Sequence, residues 1–364
     1  MKLLSPALLL TVLLIFTPQT AKGEFKVSAP LGLPPVPVPE NNPITKEKVA
    51  LGEKLYNDTR LSKDGTVGCV TCHSPKKGFA DGKRVSEGVG KQTGARNAPT
   101  SANAAYNKLQ FWDGRAGSLE EQSKGPLINP VEHGLANHGE LLKIVRKDPA
   151  YVKAFKESFG VAGEKITIDH VAMAIASFER TLVFGNSPFD RYYFGGEKTA
   201  VPDDVKKGFE IFNGKGRCQT CHAISEKFAL FTDNDFHNIG VGFSKISPKL
   251  KEKTQAFKEW KGKGGSLDVE AITNEEVSEL GRFAVTLENR HIGAFKTPTL
   301  RNVALTAPYM HDGGTATLEE VVEFYDRGGE PNRFLDGGMR PLGLTSEEKR
   351  QLVEFLRSLT SPQL

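Results

Sequence analysis

Two copies of one short cysteine–histidine motif constrain this sequence more than any other feature. The first copy is Cys69-Val70-Thr71-Cys72-His73, the second is Cys218-Gln219-Thr220-Cys221-His222, and together they use all four cysteines. The pattern C-x-x-C-H is typical of covalent haem c attachment. Two thiols at this spacing add to the vinyl groups of one porphyrin, and the adjacent imidazole binds its iron. The sequence therefore predicts two haem c groups, attached to Cys69, Cys72, Cys218 and Cys221, with His73 and His222 as iron ligands.

A thioredoxin-like redox pair, a zinc site and two short disulfides are the alternatives for these cysteines. A redox pair does not need the histidine and usually belongs to a βαβ context, which this sequence lacks. A Cys₄ zinc site would have to join two cysteine pairs from 149 residues apart, and it leaves both histidines without a role. Disulfides are common in exported proteins, but they do not explain the histidines either.

The first 23 residues have the features of an export signal. Lys2 gives a positive start, residues 3–16 are almost wholly apolar, and residues 20–23 include small side chains for cleavage. The apolar stretch is short for a membrane span of about 20 residues, although an uncleaved anchor is the alternative. We predict a signal peptide over residues 1–23 and a mature chain with no membrane attachment. Loss of Lys2 and Lys22 lowers the formal net charge from +4 to +2, which excludes a strongly basic surface for nucleic acid.

Helical patterns dominate the rest of the chain. Amphipathic segments at 51–56 and 207–212 precede the two motifs and predict helices that lead into the haem-binding turns. Further helices are indicated by one apolar face and two capping boxes: Val171, Ile175, Phe178 and Leu182; Thr317 with Glu320; and Thr345 with Glu348.

The order of these segments predicts the domain organisation. A Pro-rich arm at 30–43 is expected to be extended on the surface, and the stretch 186–202 is expected to be the linker. No run of alternating strands appears. We expect an all-α protein of two cytochrome c-like domains, 24–195 and 196–364, each with one covalently bound haem c.

Four longer motifs resemble the bacterial dihaem cytochrome c peroxidase superfamily, which also contains the enzyme MauG. They interleave with the haem motifs in the family's order and lie at 96–100, 110–116, 125–132 and 298–309. The resemblance implies a periplasmic peroxidase in which the first haem reacts with hydrogen peroxide. Electrons would reach it through the second haem from a small periplasmic cytochrome c or cupredoxin. A homodimer is an expectation by analogy alone.

The resemblance also implies the residues of the peroxide site. Glu132 matches the family's acid–base carboxylate, and Gln122 and Pro126 match the other pocket residues. A carboxyl partly buried over a haem can move a proton from one peroxide oxygen to the other. The alternative is that Glu132 is a solvated surface acid. His133 either tunes that carboxylate or faces solvent, and the sequence does not decide between them.

Other matched residues would lie between the two haems. Trp112 matches a tryptophan that helps electrons cross, although it could equally be a core aromatic. Asn97, Thr306 and Pro308 match the oxygen ligands of a calcium ion between the haems, and hard oxygen donors suit that ion.

Two departures from the peroxidase pattern matter. The loop 86–91 has no histidine where many relatives carry one that blocks the first iron, so we expect that iron to be open without reductive activation. Tyr325 stands where the peroxidases have a methionine ligand to the second iron, which resembles the MauG-like branch, where phenolate ligation lowers the haem potential. The alternative is a core role for Tyr325, with Met310 as the ligand. Met173 lies within a helix and is assigned to core filling.

Three functions follow. The leading one is a cytochrome c peroxidase that reduces hydrogen peroxide to water. The second is a MauG-like enzyme that uses peroxide-derived high-valent haem to oxidise a protein substrate. The third is a plain dihaem electron carrier with both irons six-coordinate.

Overall fold

The computed structural model describes residues 25–364, so the predicted signal peptide lies outside the described residues. Helices account for most of the regular structure there, which confirms the prediction of a mainly helical fold. Its small sheet pairs β1 (Phe236–His237) with β2 (Phe295–Lys296) in antiparallel orientation. The helices of the first half are α1 (Lys46–Asn57), α2 (Cys69–Cys72), α3 (Leu119–Gln122), α4 (Gly125–Ile128), α5 (His138–Lys147), α6 (Pro149–Phe159), α7 (Ile168–Glu179) and α8 (Pro188–Tyr193). Those of the second half are α9 (Asp203–Asn213), α10 (Phe243–Ile246), α11 (Leu250–Gly262), α12 (Leu267–Thr273), α13 (Glu275–Glu279), α14 (Phe283–Thr286), α15 (Leu318–Asp326) and α16 (Ser346–Arg357).

Each half of the chain builds its own apolar core. In the first, α1, α6 and α7 contribute residues such as Leu51, Phe155 and Val171. In the second, α9 and α16 contribute residues such as Phe212 and Phe355. Burial of each such side chain stabilises the fold by about 1.5–3 kcal/mol relative to exposure. We call the elements around these two cores the first lobe and the second lobe.

Both lobes depend on the same close crossing of two helices. In the first lobe α1 crosses α7 at Gly52, where a Cβ atom would lie 1.9 Å from the carbonyl oxygen of Ala174. In the second lobe α9 crosses α16 at Gly208, where a Cβ atom would lie 2.0 Å from the carbonyl oxygen of Gln351. No side chain larger than hydrogen fits at either position. The two crossings therefore give a residue-by-residue correspondence between the lobes: Gly52 corresponds to Gly208, and Ala174 corresponds to Gln351.

The predicted helices are confirmed. The segments 51–56 and 207–212 lie within α1 and α9. The capping boxes begin α15 and α16: the hydroxyl of Thr317 accepts from the Glu320 amide at 3.1 Å, and the hydroxyl of Thr345 accepts from the Glu348 amide at 3.2 Å. The helix predicted from the apolar face is α7; it ends at Glu179, so Leu182 packs from the turn that follows.

The Pro-rich arm connects the two lobes. The Gly32 carbonyl accepts from Arg301 of the second lobe, and the Asn42 amide donates to Glu120 of the first lobe at 2.8 Å. The predicted linker 186–202 is packed structure rather than a free connection, because its short helix α8 places Phe189 in the second core. The domain boundary after residue 195 stays a prediction.

Residues 25–364 contain no helix that is both long and apolar enough to cross a membrane.

Candidate functional site

Each cysteine–histidine motif lines a cavity in its own lobe. Cys69, Cys72 and His73 line the first cavity, and the second cavity is lined by the other motif, Cys218, Cys221 and His222. All four sulfurs are free thiols, and burial raises the pKa of Cys72 to about 11 and that of Cys218 to about 12. Burial therefore disfavours the thiolate forms of Cys72 and Cys218.

The two motif histidines have the same orientation. His73 places Nδ1 3.2 Å from the carbonyl oxygen of Phe79, and His222 places Nδ1 2.9 Å from the carbonyl oxygen of Phe231. Burial lowers the pKa of both imidazoles, so both are neutral. With the proton on Nδ1, each Nε2 keeps a lone pair for a metal in the cavity. Two thiols and a preset imidazole in each cavity fit haem c.

Glu132 combines burial with a shifted pKa at the first cavity. It lines this cavity and is not the solvated surface acid of the alternative prediction. Burial raises the pKa of its carboxyl to about 7, and Arg115 opposes that rise through its positive charge. Arg115 is held by ion pairs to Asp113 and Asp268, both at 3.0 Å. The cavity therefore contains a carboxyl group that can both accept and donate a proton near neutral pH.

The residues predicted to accompany Glu132 also line the first cavity. Gln122 ends α3 and Pro126 lies in the first turn of α4. The loop without histidine packs against Glu132 from the other side: Val89 donates to the Glu132 carbonyl at 2.9 Å, and a Cβ on Gly88 would lie 2.0 Å from the Val131 carbonyl oxygen. At Gly88, therefore, this loop has no room for a side chain over the cavity.

His133 is buried and does not face solvent. Its exposure is 4 %, and its Nδ1 lies 3.0 Å from the carbonyl oxygen of Leu61. Burial lowers the pKa of this imidazole, so it is neutral.

Trp112 lies in a wall that the two cavities share. Asn97, Ala98, Pro99 and Trp112 line both cavities. The Trp112 indole donates to the Asn97 carbonyl oxygen at 2.9 Å, and the Trp112 carbonyl accepts from the Lys296 amide at 2.8 Å. The wall is thus hydrogen-bonded from both lobes.

Tyr325 is a half-buried residue that lines the second cavity. It lies on α15 and faces the attachment cysteines, and burial raises the pKa of its phenol above the ordinary value. Met310 and Met339 line the same cavity. Met339 was not singled out from the sequence, because it lies in an irregular segment without a pattern.

The internal match of the lobes gives Tyr325 a counterpart. Leu119 begins α3 after the cap Ser118, and Leu318 begins α15 after the cap Thr317. Seven residues beyond each leucine are Pro126 and Tyr325. Pro126 and Tyr325 therefore occupy equivalent positions. The proline side chain cannot bind a metal in the first cavity, whereas the tyrosine side chain can bind one in the second.

The expected calcium ligands share one cavity. Asn97, Thr306 and Pro308 all line the second cavity, and Asn97 belongs to the shared wall. The side-chain nitrogen of Asn97 donates to the Lys83 carbonyl oxygen at 2.9 Å. The side-chain oxygen of Asn97 takes no part in this bond. Oxygen donors of this kind suit calcium.

Among the ionisable residues of the cavities, Glu179 and Lys296 were missed from the sequence, and His237 was only one of six histidines outside the attachment motifs between which spacing could not decide. Glu179 lines the first cavity, and Lys296 and His237 line the second. Glu179 follows Ile175 by four residues on α7, so an acid on an apolar face was the available signal. Lys296 and His237 lie on the short paired strands, which gave no signal.

The chain matches the family model described as di-haem cytochrome c peroxidase over residues 46–199. It is 38% identical over 340 residues to the methylamine utilization protein MauG of Methylorubrum extorquens, covering 90% of this chain and 84% of that protein. It is also 38% identical over 337 residues to the cytochrome-c peroxidase IdrP1 of a Pseudomonas species, with coverage of 90% and 84%.

A solved structure shows the same architecture. The crystal structure of a MauG-like protein associated with microbial copper homeostasis superposes with a TM-score of 0.76 at 30% identity, covering 93% of this chain and 96% of that one.

Proposed function

The chain belongs to the di-haem cytochrome c peroxidase family and is a haem-dependent peroxidase, and from this we propose that it reduces hydrogen peroxide to water at the first cavity. A small periplasmic cytochrome c or cupredoxin supplies the electrons through the second cavity. The family implies two haem c groups, one for each proposed domain, 24–195 and 196–364. When bound, haem supplies an iron that exchanges single electrons and, where a ligand position is open, binds peroxide.

Glu132 carries this proposal, because it is an acid–base group tuned to neutral pH inside the first cavity. The O–O bond of peroxide breaks most easily when the outer oxygen leaves as water, so a proton has to move to it from the inner oxygen. Glu132 accepts that proton as a carboxylate and returns it as a carboxylic acid. A pKa of about 7 makes both forms available at working pH.

The neighbours of Glu132 keep the peroxide position free. Pro126 offers no side-chain ligand atom, and the loop 86–91 has no histidine that could block the iron. Gln122 supplies a side-chain amide that can donate a hydrogen bond to a bound oxygen. The first site is thus open to peroxide before any reduction.

The second cavity serves as the electron relay. His222 and Tyr325 would hold the iron of the second haem. Burial alone raises the pKa of the Tyr325 phenol, and a bound cation would favour its phenolate form. Trp112 carries electrons across the shared wall. Calcium held by Asn97, Thr306 and Pro308 fixes that wall.

Stopped-flow mixing with peroxide tests the proposal. The purified protein, oxidised or pre-reduced, is mixed with peroxide while the spectrum and the oxidation of a reduced small cytochrome c are followed. Fast turnover from either starting state supports an open peroxidase. Turnover only after reduction would contradict the open first site, and no reaction with peroxide would contradict the proposed function.

A second candidate function is oxidation of a protein substrate, as in the MauG-like branch. The tyrosine at 325 favours it, because phenolate ligation suits strongly oxidised rather than electron-donating iron. Poor turnover of reduced cytochrome c, together with oxidation of a co-expressed protein detected by mass spectrometry, would favour this candidate. Membership of a peroxidase family argues against the third predicted function, a plain dihaem electron carrier. Export and dimerisation stay predictions.

A further inference from the structure

Glu179 is a buried acid of the first cavity to which the peroxide chemistry gives no role. It is the last residue of α7, is 6 % exposed, and lines the cavity beside Ile175 and Tyr56. Its Oε2 atom is buried and has no hydrogen-bond partner among the described residues. An unsatisfied buried polar group costs about 1–3 kcal/mol. Folding alone therefore does not favour an acid here.

The second lobe provides an internal comparison for this position. The helix crossings match α7 with α16, so Phe178 corresponds to Phe355: each side-chain Cβ lies 2.9 Å from the Cβ that the facing glycine would carry. The next residue is Glu179 in α7 and Leu356 in α16. Both are 6 % exposed, and both line the cavity of their lobe. Since leucine satisfies the packing at this position, the carboxyl of Glu179 is present for a reason other than packing.

The charges around Glu179 leave it without a partner of its own. Arg180 follows it, but that guanidinium is bound to both carboxylate oxygens of Glu120 at 2.6 and 3.0 Å. Lys48 donates its ammonium protons to Asn42 and to a backbone carbonyl, both at 2.9 Å. Tyr56 also acts on Glu179 and is neutral at pH 7, and Cys69 carries no charge once it is joined to haem. Burial accordingly raises the pKa of Glu179 to about 8.

We propose that Glu179 binds one proton from solvent when an electron arrives in the first cavity and releases it when the electron leaves. The inference rests on the proposed function, in which the external redox protein supplies the electrons. Each peroxide reduced to two waters consumes two electrons and two protons, so one proton accompanies each electron. Glu132 moves a proton that the peroxide itself brings. Glu179 holds a proton that comes from outside.

Electrostatics makes this coupling reciprocal. An added electron makes the low-dielectric cavity more negative, so an unpaired carboxylate there gains proton affinity. By linkage, proton binding must favour the reduced state to the same extent. The Glu120–Arg180 ion pair adjoins Glu179 in the chain and reaches solvent, since 17 % of the Glu120 side chain is exposed.

The test is a potentiometric titration of the first haem in the intact two-haem protein at several pH values between about 5 and 9. In the unaltered protein its midpoint potential should fall as pH rises, by up to about 59 mV for each tenfold change in proton concentration. In Glu179→Gln and Glu179→Leu the part of that dependence due to Glu179 should disappear, whereas the part due to Glu132, whose charge Arg115 opposes, should remain. Glu179→Leu introduces the residue that the second lobe has at the equivalent position, Leu356. Leucine packs there, so this variant controls for a loss of packing.

Two further variants separate this proposal from the alternative that Glu132 causes the pH dependence. Glu132→Gln should keep the part due to Glu179, whereas Glu120→Gln should move that part to lower pH, because the freed Arg180 then stabilises the Glu179 carboxylate. Loss of the dependence in Glu132→Gln but not in Glu179→Gln, or a flat potential in the unaltered protein, would overturn the proposal. The titration uses neither peroxide nor a partner protein, so its outcome is independent of whether turnover is observed.

Discussion

Replacement of Glu132 by glutamine tests the centre of the proposed chemistry. The amide keeps the size of the side chain but can neither accept nor donate a proton at neutral pH. General acid–base catalysis contributes about 10²- to 10⁴-fold. We therefore expect the second-order rate constant for peroxide to fall by that factor, equivalent to about 3–5 kcal/mol of barrier at 1.36 kcal/mol for each tenfold change.

The pH dependence of the same rate constant follows from the pKa of about 7 at Glu132. Glu132 must be a carboxylate when peroxide arrives, so the rate rises with pH and levels off above the pKa. Below it the carboxylate fraction falls about tenfold per pH unit. At pH 5 we expect about one hundredth of the plateau rate, measured by stopped-flow absorption of the first haem. Glu132→Gln should be slow and flat over this range.

Glu53→Gln is the matched control, because Glu53 is an exposed acid on α1 outside both cavities. It should react like the unaltered protein at every pH. A rate within threefold of the unaltered protein for Glu132→Gln, or an unchanged pH profile in that variant, would refute the acid–base role.

Other substitutions test the remaining parts. Tyr325→Met should raise the midpoint potential of the second haem, within the roughly 0.8 V range that axial ligands span, and potentiometric titration measures it. Trp112→Phe removes the hydrogen bond to Asn97 and should slow electron transfer between the haems, seen as slower re-reduction after peroxide. Asp190→Asn should cost about 3–5 kcal/mol in denaturant unfolding, because it removes the negative charge and one of the two acceptor oxygens that contact the fully buried Arg301 at 2.9 and 3.0 Å.

The parts of the fold predicted from the sequence are those set by local patterns. The two attachment motifs, the amphipathic segment before each motif and the capping boxes act over a few residues, so their geometry is written in the spacing. Thr317 and Thr345 cap helices where the pattern indicates because a capping box needs only its own four residues. The linker prediction lacked such a signal, and Phe189 of α8 is drawn into the second core by contacts from distant segments.

Cavity residues were predictable only where a family motif marked them. Glu132, Gln122 and Pro126 line one cavity as expected, although their roles stay predictions. Glu179 and Lys296 could not be assigned, because their meaning depends on which cavity wall they join. For Lys296 burial lowers the pKa to about 8, a consequence of tertiary packing that no spacing in the sequence records.

The matched lobes turn a repeated scaffold into two unequal sites through few exchanges. At one pair of equivalent positions the first cavity has Pro126 and the second has Tyr325, so only the second cavity has a side chain there that can bind a metal. At another pair the first cavity has Glu179 and the second has Leu356, so only the first cavity can take up a proton there. In the proposed function, a first haem beside the two acids of its cavity, Glu132 and Glu179, suits a reaction that consumes protons, and a second haem held by two side chains suits electron transfer. Leu356→Glu should therefore make the potential of the second haem more strongly dependent on pH than in the unaltered protein, because the carboxyl would then face that cavity without a partner. The same pH dependence in both proteins would contradict the equivalence of the two positions.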